Sequence, residues 1–397
     1  MARFLFVVPP LQGHVNPTVS VGRDLARRGH DVAWTGLPGA VDPLLPAGAL
    51  FLPAGAPEAL GHVNDLRDRS KGLRAAAAFK FLWEHVLLPL ADAMADGVDE
   101  VVDGWKPDVI VADQQTLAGA AAALRRDLPW ATSATTSAEL VDALAALPLA
   151  AQWVDEQVTA FAARVGLPET LPGGQPASRA LRSSDHLVLV FSTRRLVGEH
   201  LAFPASHVFV GPSISDRPDR TPFPWDWLDP ALRHVLVSLG TVNTNAGERF
   251  FAAAAEALAR EPVQAVFVAP PALPLPPADN LLVLPRVPQL ALLPHLDAVV
   301  SHAGHNTVCE TLAHGLPLVL APIRDDQPVV ADQVVRAGAG VRVRFGRVGP
   351  DELRAAVRQV LDEPLFRAAA GDIRRSFEAA GGASAAATQL EALLCVD

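Results

Sequence analysis

Short apolar runs alternate with longer helix-forming stretches along almost the whole chain of 397 residues. This alternation is typical of βα units, which build parallel sheets with helices on both faces. For a first sheet we predict strands at Phe4–Val8, Asp31–Trp34, Val109–Ala112 and His186–Phe191. A second series then begins afresh, at His234–Leu239, Ala265–Val268, Leu281–Leu284, Ala298–Ser301, Leu318–Ala321 and Val341–Phe345.

A proline-rich segment separates the two series. Proline cannot continue a helix or a central strand, so the stretch from Pro212 to Pro230 is predicted to link two domains. We place the first domain at 1–212, the linker at 213–232 and the second domain at 233–397, with the last helix packing back on the first domain. The fold class is then α/β, with two doubly wound, Rossmann-like domains that face a cleft. Ligands of such sheets bind at the carboxyl ends of the strands.

The charge of the chain restricts its partners. A net charge of −10 and a pI near 5.6 disfavour nucleic acid or an anionic membrane as the main partner. The apolar start is cut off by Pro9-Pro10, and it resembles a buried strand more than a signal peptide. No apolar run reaches membrane-spanning length, and there are only two cysteines. We therefore predict a cytoplasmic protein without a disulfide framework.

The stretch from Val299 to Gly315 predicts an anion site. It consists of a strand, a turn of small residues and a helix, in which Gly304 permits a tight turn and Asn306 or Thr307 caps the helix. The first amides of that helix suit a diphosphate, and His302 stands just before them. An ordinary βα turn is the alternative. A metal site at His302, His305, Cys309 and Glu310 is disfavoured because only part of that set shares a helical face.

A histidine and an aspartate lie at the carboxyl ends of two predicted strands in the first domain, one in the following loop and one at the strand end. His14 lies in a glycine-containing loop that leads into a helix, where Asn16 is a candidate cap with Pro17 at the first position. Asp113 closes the strand that begins after Lys106 and Pro107. Two alternatives remain open, since His14 can be satisfied by local backbone and Asp113 can cap a helix over Gln114–Leu124.

Several of these motifs together resemble the family-one, UDP-sugar-type glycosyltransferases, which are inverting enzymes of the GT-B fold. The contiguous resemblance runs from Arg286 to Gln327, and weaker matches occur at Val7–Pro17, Pro107–Asp113 and Ser238–Thr241. The residues that carry the long match are Arg286-Val-Pro-Gln289, His302-Ala-Gly-His-Asn-Thr307, Glu310, Gly315-Leu-Pro317, Pro322 and Asp326-Gln327.

The resemblance implies a donor site for a nucleoside diphosphate sugar. It implies that His302 and the backbone at Gly304, Asn306 and Thr307 hold the diphosphate, that Glu310 binds the ribose, and that Asp326 and Gln327 receive hexose hydroxyls. Arg286 stands where the family often has a tryptophan, and a guanidinium can also stack on a base. Val287 and Gln289 complete that segment, while Ser238 and Thr241 form a second polar turn near the diphosphate or a simple βα turn. UDP-glucose is favoured as donor, with a TDP-sugar left open.

The resemblance also implies the reaction. His14, oriented by Asp113, is the expected base for a single displacement at the anomeric carbon, without metal or other cofactor. The acceptor is expected to be a small hydrophobic natural product, such as a bacterial polyketide, that offers a hydroxyl or another nucleophile. Its binding residues in the first domain are predicted as Phe79, Trp83 and Trp153, for which core packing is the alternative. A nucleotide-sugar epimerase or hydrolase and a non-catalytic accessory protein are the competing functions, and both monomer and homodimer remain open.

Overall fold

The computed structural model describes residues 1–56, 75–140, 148–214, 221–240, 247–270, 273 and 275–395. The chain divides into two compact units. Unit 1 comprises Met1–Phe191, Ala202–Ser215 and Gly381–Asp397, and unit 2 comprises Ser192–Leu201 and Asp216–Ala380. Over the described residues, no helix is long and apolar enough to cross a lipid bilayer.

Unit 1 contains a seven-stranded parallel sheet with the strand order β3-β2-β1-β4-β5-β6-β7. The direction of winding reverses between β1 and β4, and ligands of doubly wound sheets bind beside such a switch point. The strands are β1 (Arg3–Val7), β2 (Asp31–Gly36), β3 (Leu50–Pro53), β4 (Val109–Asp113), β5 (Trp130–Ala134), β6 (Leu187–Val190) and β7 (His207–Phe209).

Unit 2 contains a six-stranded parallel sheet with the order β10-β9-β8-β11-β12-β13. Its winding reverses between β8 and β11, where Ser238 and Ser301 are paired at the carboxyl ends of the two strands. The strands are β8 (Arg233–Ser238), β9 (Val263–Val268), β10 (Leu281–Leu284), β11 (Ala298–Ser301), β12 (Leu318–Leu320) and β13 (Gly340–Arg342). Each unit therefore has its own switch point.

Helices connect the strands of both sheets. The described α-helices are α1 (Gln12–Arg27), α2 (Ala75–Leu82), α3 (Leu88–Trp105), α4 (Leu117–Arg125), α5 (Pro148–Arg164), α6 (Ala177–Arg182), α7 (Arg194–Val197), α8 (Glu248–Leu258), α9 (Gln289–Leu292), α10 (His305–Ala313), α11 (Gln327–Arg336), α12 (Pro350–Asp362), α13 (Pro364–Ala380) and α14 (Gly382–Ala392). A π-helical turn, Trp83–Leu87, joins α2 to α3, and single 3₁₀ turns lie at Asp42–Leu44, Ser137–Leu140, Trp225–Trp227, Leu293–His295 and Leu393–Cys395.

Most strand residues of the two sheets are buried on both faces, which explains why most strands are predominantly apolar. In β1, Leu5 and Val7 pack into one core and Phe4 and Phe6 into another, because successive side chains point to opposite faces. In unit 2, Val235 and Val237 are likewise separated from Leu236. The two doubly wound, Rossmann-like domains expected from the sequence are thereby confirmed.

The boundaries of the units differ from the predicted domains. Phe223 is buried in a core of unit 2 with Leu236, and the Trp227 carbonyl accepts a hydrogen bond from Gln264 Nε2 at 2.7 Å. The second half of the predicted linker is therefore part of unit 2. Ser192–Leu201 also belongs to unit 2, because Leu196 packs with Val308 and its neighbours. Hydrophobic contacts distant in sequence determine these assignments.

The last helix, α14, packs on α1 within unit 1. Arg28 at the end of α1 donates to Glu391 Oε2 at 2.7 Å and to the Ser384 carbonyl at 2.8 Å. His30 Nε2 lies 3.0 Å from Glu391 Oε1, and its hydrogen bond is the main reason why the pKa of Glu391 is lowered. This network anchors the carboxyl end of the helix that carries His14.

Candidate active site

His14 lies in the first turn of a helix and not in a loop. Helix α1 begins at Gln12, and the amides of His14 and Val15 already donate to the Leu11 carbonyl at 2.9 and 3.0 Å. The prediction that Asn16 caps this helix, with Pro17 at its first position, is therefore wrong. Pro17 lies inside α1, where it removes one backbone donor but does not end the helix.

Asp113 and His14 meet at the switch point of unit 1. Asp113 is the last residue of β4, and His14 Nδ1 is 3.0 Å from both oxygens of its carboxylate. Asp113 Oδ1 also accepts from the Gln115 amide at 2.9 Å. The alternative that Asp113 caps the next helix is wrong, since α4 begins at Leu117 with Thr116 at its N-cap.

The contact with the carboxylate determines which ring nitrogen of His14 carries the proton. A carboxylate is an acceptor, so Nδ1 must donate, and Nε2 then carries the lone pair that a base requires. Asp113 is buried, which strengthens its electrostatic stabilisation of a protonated imidazole. The pair has the arrangement that general-base catalysis requires.

Thr135 is a third member of this cluster that no sequence motif identified. It follows β5, the strand next to β4, and its hydroxyl oxygen lies 2.7 Å from His14 Nδ1 and 3.1 Å from Asp113 Oδ2. The polar run Thr135-Thr136-Ser137 directly after a strand was the available signal. Because that strand was not predicted, its carboxyl end was not recognised.

In unit 2, the turn between β11 and α10 differs from the predicted capping. Gly304 is the N-cap of α10, so Asn306 and Thr307 lie in the first turn and the expectation that one of them caps the helix is wrong. Gly304 has no side chain that can occupy the helix end, which leaves room there for an external anion. The preceding Ala303 has a left-handed φ of 68°, a conformation that costs an ordinary residue about 1–2 kcal/mol.

His302 is enclosed between two glycines. A Cβ atom at Gly304 would lie 2.5 Å from His302 Nε2, and one at Gly240 would lie 2.6 Å from Cε1. Burial lowers the pKa of His302 from 6.5 to about 4, although the Asp326 carboxylate and the Ser238 backbone favour the protonated ring. His302 is therefore neutral near pH 7, so it can offer an anion a hydrogen-bond donor but not a resident positive charge.

Two predicted donor residues contact each other directly. Gln289, the first residue of α9, donates from Nε2 to Glu310 Oε2 on α10 at a distance of 2.6 Å. Glu310 is buried, so this bond helps to satisfy a carboxylate that is largely removed from water.

The side-chain oxygen of Gln327 is occupied by hydrogen bonds within the protein. Its Oε1 accepts from the amides of Ile323 and Arg324 at 2.9 and 3.1 Å, which stabilises the turn before α11. The oxygen of this amide is therefore engaged by the backbone, and Nε2 is the part of the group that can donate hydrogen bonds. Asp326 is the N-cap of α11, beside Gln327.

The remaining donor candidates lie in connecting segments. Arg286 is exposed between β10 and α9, and Val287 packs partly against a core of unit 2. Ser238 is buried at the end of β8, where its hydroxyl accepts from the Gly240 amide at 3.3 Å. Thr241 lies outside the described residues.

The predicted acceptor residues are largely packing residues. Trp83 is 8% exposed and belongs to a core of unit 1, as the packing alternative requires. Phe79 and Trp153 are partly buried and pack against that core. The Lys80 ammonium lies 5.4 Å from the centre of the Trp153 ring. Of the three, only Phe79 and Trp153 retain exposed surface for a ligand.

The metal alternative finds no geometric support in the part of the chain that the structure describes, where no group of three His, Cys, Asp or Glu side chains has a metal-binding arrangement. Cys309 Sγ is 3.5 Å from His305 Nε2. Burial raises the pKa of the Cys309 thiol, so it remains protonated and is a poor ligand.

Comparisons with known proteins match this chain to glycosyltransferases. The profile of the UDP-glucoronosyl and UDP-glucosyl transferase family matches residues 225–375. The chain is 31% identical to 4'-demethylrebeccamycin synthase of Lentzea aerocolonigenes, over 99% of this chain and 100% of that protein. The crystal structure of the glycotransferase of kitacinnamycin is 25% identical, with a TM-score of 0.77 and 99% of each chain covered.

A further solved structure is similar in fold. It is a glycosyltransferase from Streptomyces sp. SF2575 complexed with thymidine diphosphate, and it is 20% identical with a TM-score of 0.69. The similarity covers 99% of this chain and 100% of that chain. It places the two parallel-sheet units in the GT-B fold.

Proposed function

The chain belongs to the UDP-glucoronosyl and UDP-glucosyl transferase family and is a glycosyltransferase; we propose that it transfers a hexose, with inversion, from a nucleoside diphosphate sugar to a small hydrophobic natural product. UDP-glucose is the favoured donor and a TDP-sugar the second candidate. The observation that carries the proposal is the His14–Asp113 pair, with 3.0 Å between Nδ1 and each carboxylate oxygen.

In the proposed reaction, unit 1 supplies the base. His14 Nε2 removes the proton of the acceptor hydroxyl while the hydroxyl oxygen forms a bond to the anomeric carbon of the sugar. The bond from that carbon to the diphosphate breaks, and the nucleoside diphosphate leaves with the electron pair. Asp113 stabilises the imidazolium that results. One displacement at carbon inverts its configuration.

Unit 2 is proposed to bind the donor and to stabilise the leaving group. His302 donates a hydrogen bond to the diphosphate, and the amino end of α10 adds backbone amides and the positive end of the helix dipole. The Gln289–Glu310 pair is assigned to the ribose. Asp326 and the Nε2 group of Gln327 are assigned to the sugar hydroxyls, one as acceptor and the other as donor.

The proposal is tested with the purified protein, UDP-glucose or TDP-glucose, and a panel of aromatic and polyketide aglycones, with products identified by mass spectrometry. We expect an acceptor product that is one hexose heavier, and NMR of the product is expected to show inverted anomeric configuration. Free hexose without a conjugate would indicate a hydrolase, and an isomerised donor would indicate an epimerase. Either result without transfer contradicts the proposal.

Arg286 is expected to bind the base of the donor by stacking. Loss of a stacked guanidinium costs about 0.5–2 kcal/mol, so Arg286→Ala should weaken uridine, UDP and TDP binding by several-fold to about thirtyfold. Arg286→Trp should preserve binding because an indole offers the same flat surface. Calorimetric titration of uridine and UDP measures both changes, with exposed Arg260→Ala as the control. Unchanged uridine affinity in Arg286→Ala would exclude stacking.

Transfer is expected to proceed without a divalent ion. Hydrogen bonds from His302 and the helix amides replace the charge that magnesium supplies in other diphosphate sites. Dialysis against EDTA should therefore leave the initial rate unchanged, measured as conjugate formed per minute at saturating donor. A loss of activity that added Mg²⁺ restores would contradict the metal-free mechanism.

A further inference from the structure

The hydroxyl of Thr135 occupies a special position in unit 1. It is buried and lies within hydrogen-bond distance of both members of the pair, 2.7 Å from His14 Nδ1 and 3.1 Å from Asp113 Oδ2. The Asp113 carboxylate is thus held at both oxygens, by the Gln115 amide at Oδ1 and by Thr135 at Oδ2. Rotation of the carboxylate away from His14 would break one of these bonds.

The direction of the hydrogen bonds follows from chemistry. A threonine hydroxyl has one proton, and it can donate that proton either to Asp113 or to His14. If the hydroxyl donated to His14, Nδ1 would have to carry a lone pair and no proton. That lone pair would face both carboxylate oxygens at 3.0 Å, and two acceptors in contact repel each other. Donation to Asp113 avoids this repulsion, and the hydroxyl oxygen then shares the proton that Nδ1 carries.

We propose that Thr135 is a positioning residue for the base: its hydroxyl holds the Asp113 carboxylate and shares the Nδ1 proton, which keeps His14 Nε2 unprotonated. The inference rests on the proposed function, in which Nε2 accepts the proton of the acceptor. Thr135 acts through the other two residues and needs no contact with either substrate.

The alternative role of the Thr135 hydroxyl is direct binding of the sugar donor, and steady-state kinetics distinguish this role from the positioning role. A hydroxyl that bound the donor would raise the donor KM when removed. A positioning hydroxyl acts on proton transfer, so its loss lowers kcat and leaves the donor KM unchanged. Threonine suits the positioning role because its branched side chain has few rotamers.

The kinetic test compares Thr135→Val, which removes the hydroxyl at nearly constant shape, with Thr135→Ser, which retains it. We expect Thr135→Val to lower kcat about tenfold to a hundredfold, the usual effect of losing a hydrogen bond to a charged group, with the donor KM unchanged. Thr135→Ser should retain most of the activity. Thr135→Ala provides a smaller replacement if the valine does not fit.

Thr132→Val is the matched control. Thr132 is buried in the same region, but its hydroxyl accepts from the Ser184 amide at 2.9 Å, so the substitution removes a buried threonine hydroxyl outside the His14 cluster. Its kcat should be that of the wild type. Equal loss in Thr135→Val and Thr135→Ser, or a raised donor KM at unchanged kcat, would overturn the proposal.

A spectroscopic measurement is independent of turnover. Nitrogen NMR of the imidazole groups reports which nitrogen is protonated, and a His14→Gln sample assigns the His14 signal among the twelve histidines. We expect neutral His14 to be protonated at Nδ1 in the wild type and in Thr135→Ser, with a new Nε2-protonated population in Thr135→Val. An unchanged tautomer in Thr135→Val overturns the inference. If the wild type transfers no sugar, the proposed function fails, while this measurement still decides the role of Thr135.

Discussion

His14→Ala is expected to lower the rate of sugar transfer by a factor of about 10²–10⁴, the usual contribution of a positioned general base. The acceptor hydroxyl would then have to lose its proton to water during the displacement. Donor affinity should remain that of the wild type because the residues proposed to bind the donor belong to unit 2. Initial rates by mass spectrometry and UDP titration by calorimetry measure the two quantities separately.

Asp113→Asn is expected to lower the rate of transfer less than His14→Ala does. An amide keeps the shape of the side chain but cannot stabilise an imidazolium as a carboxylate does, so an intermediate rate is expected. Exposed His200→Ala is the control for loss of a histidine. Turnover at the wild-type rate in a correctly folded His14→Ala protein would exclude the assigned base.

His302→Ala is expected to weaken nucleoside diphosphate binding and to slow the departure of the leaving group. A hydrogen bond to a charged group is worth about 1.5–3 kcal/mol, so UDP affinity should fall about tenfold to a hundredfold. The loss in kcat should be about 10²–10³, which is the usual effect of removing a hydrogen-bonding group that stabilises developing negative charge. Calorimetry with UDP and steady-state kinetics with the donor check both effects.

Gly304→Ala tests the same contact without removing the histidine. The added methyl carbon would lie 2.5 Å from His302 Nε2, so the ring must move, and UDP binding should weaken as in His302→Ala. Gly349→Ala is a suitable control, because a Cβ there meets no atom within 4 Å and its φ is ordinary. Unaltered UDP binding in both His302→Ala and Gly304→Ala would place the diphosphate elsewhere.

The burial of His302 also predicts a pH effect on stability. Its folded pKa of about 4 is below the unfolded value of 6.5, so the unfolded chain binds more protons between these pH values. The stability of the unliganded wild type relative to His302→Gln should therefore be highest above pH 6.5 and fall by about 3 kcal/mol as the pH approaches 4. Urea unfolding of both proteins at several pH values measures the difference, and parallel curves would show that His302 titrates normally.

Local sequence patterns determined most of the architecture, because strands buried on both faces are usually apolar along their whole length. Leu281–Leu284 and Ala298–Ser301 lie where the apolar runs predicted them. β5, in contrast, was not predicted, because Trp130-Ala-Thr-Ser-Ala134 contains small and polar residues that become buried only between neighbouring strands. Its absence from the prediction also concealed Thr135.

The chemistry of the site, like the architecture, was predicted in part from local sequence and decided in part only by the tertiary structure. His14, Asp113 and His302 were identifiable because each lies at or soon after the carboxyl end of a strand in a recognisable motif, and a strand end is a local property. The 3.0 Å contact of His14 with Asp113 joins residues 99 positions apart, and only the order of β1 and β4 in the sheet creates it. The neutral state of His302 and the engaged oxygen of Gln327 likewise arise from burial and backbone geometry. Residue type sets which reactions a side chain can perform, whereas its proton affinity and its partners depend on the atoms that folding brings around it.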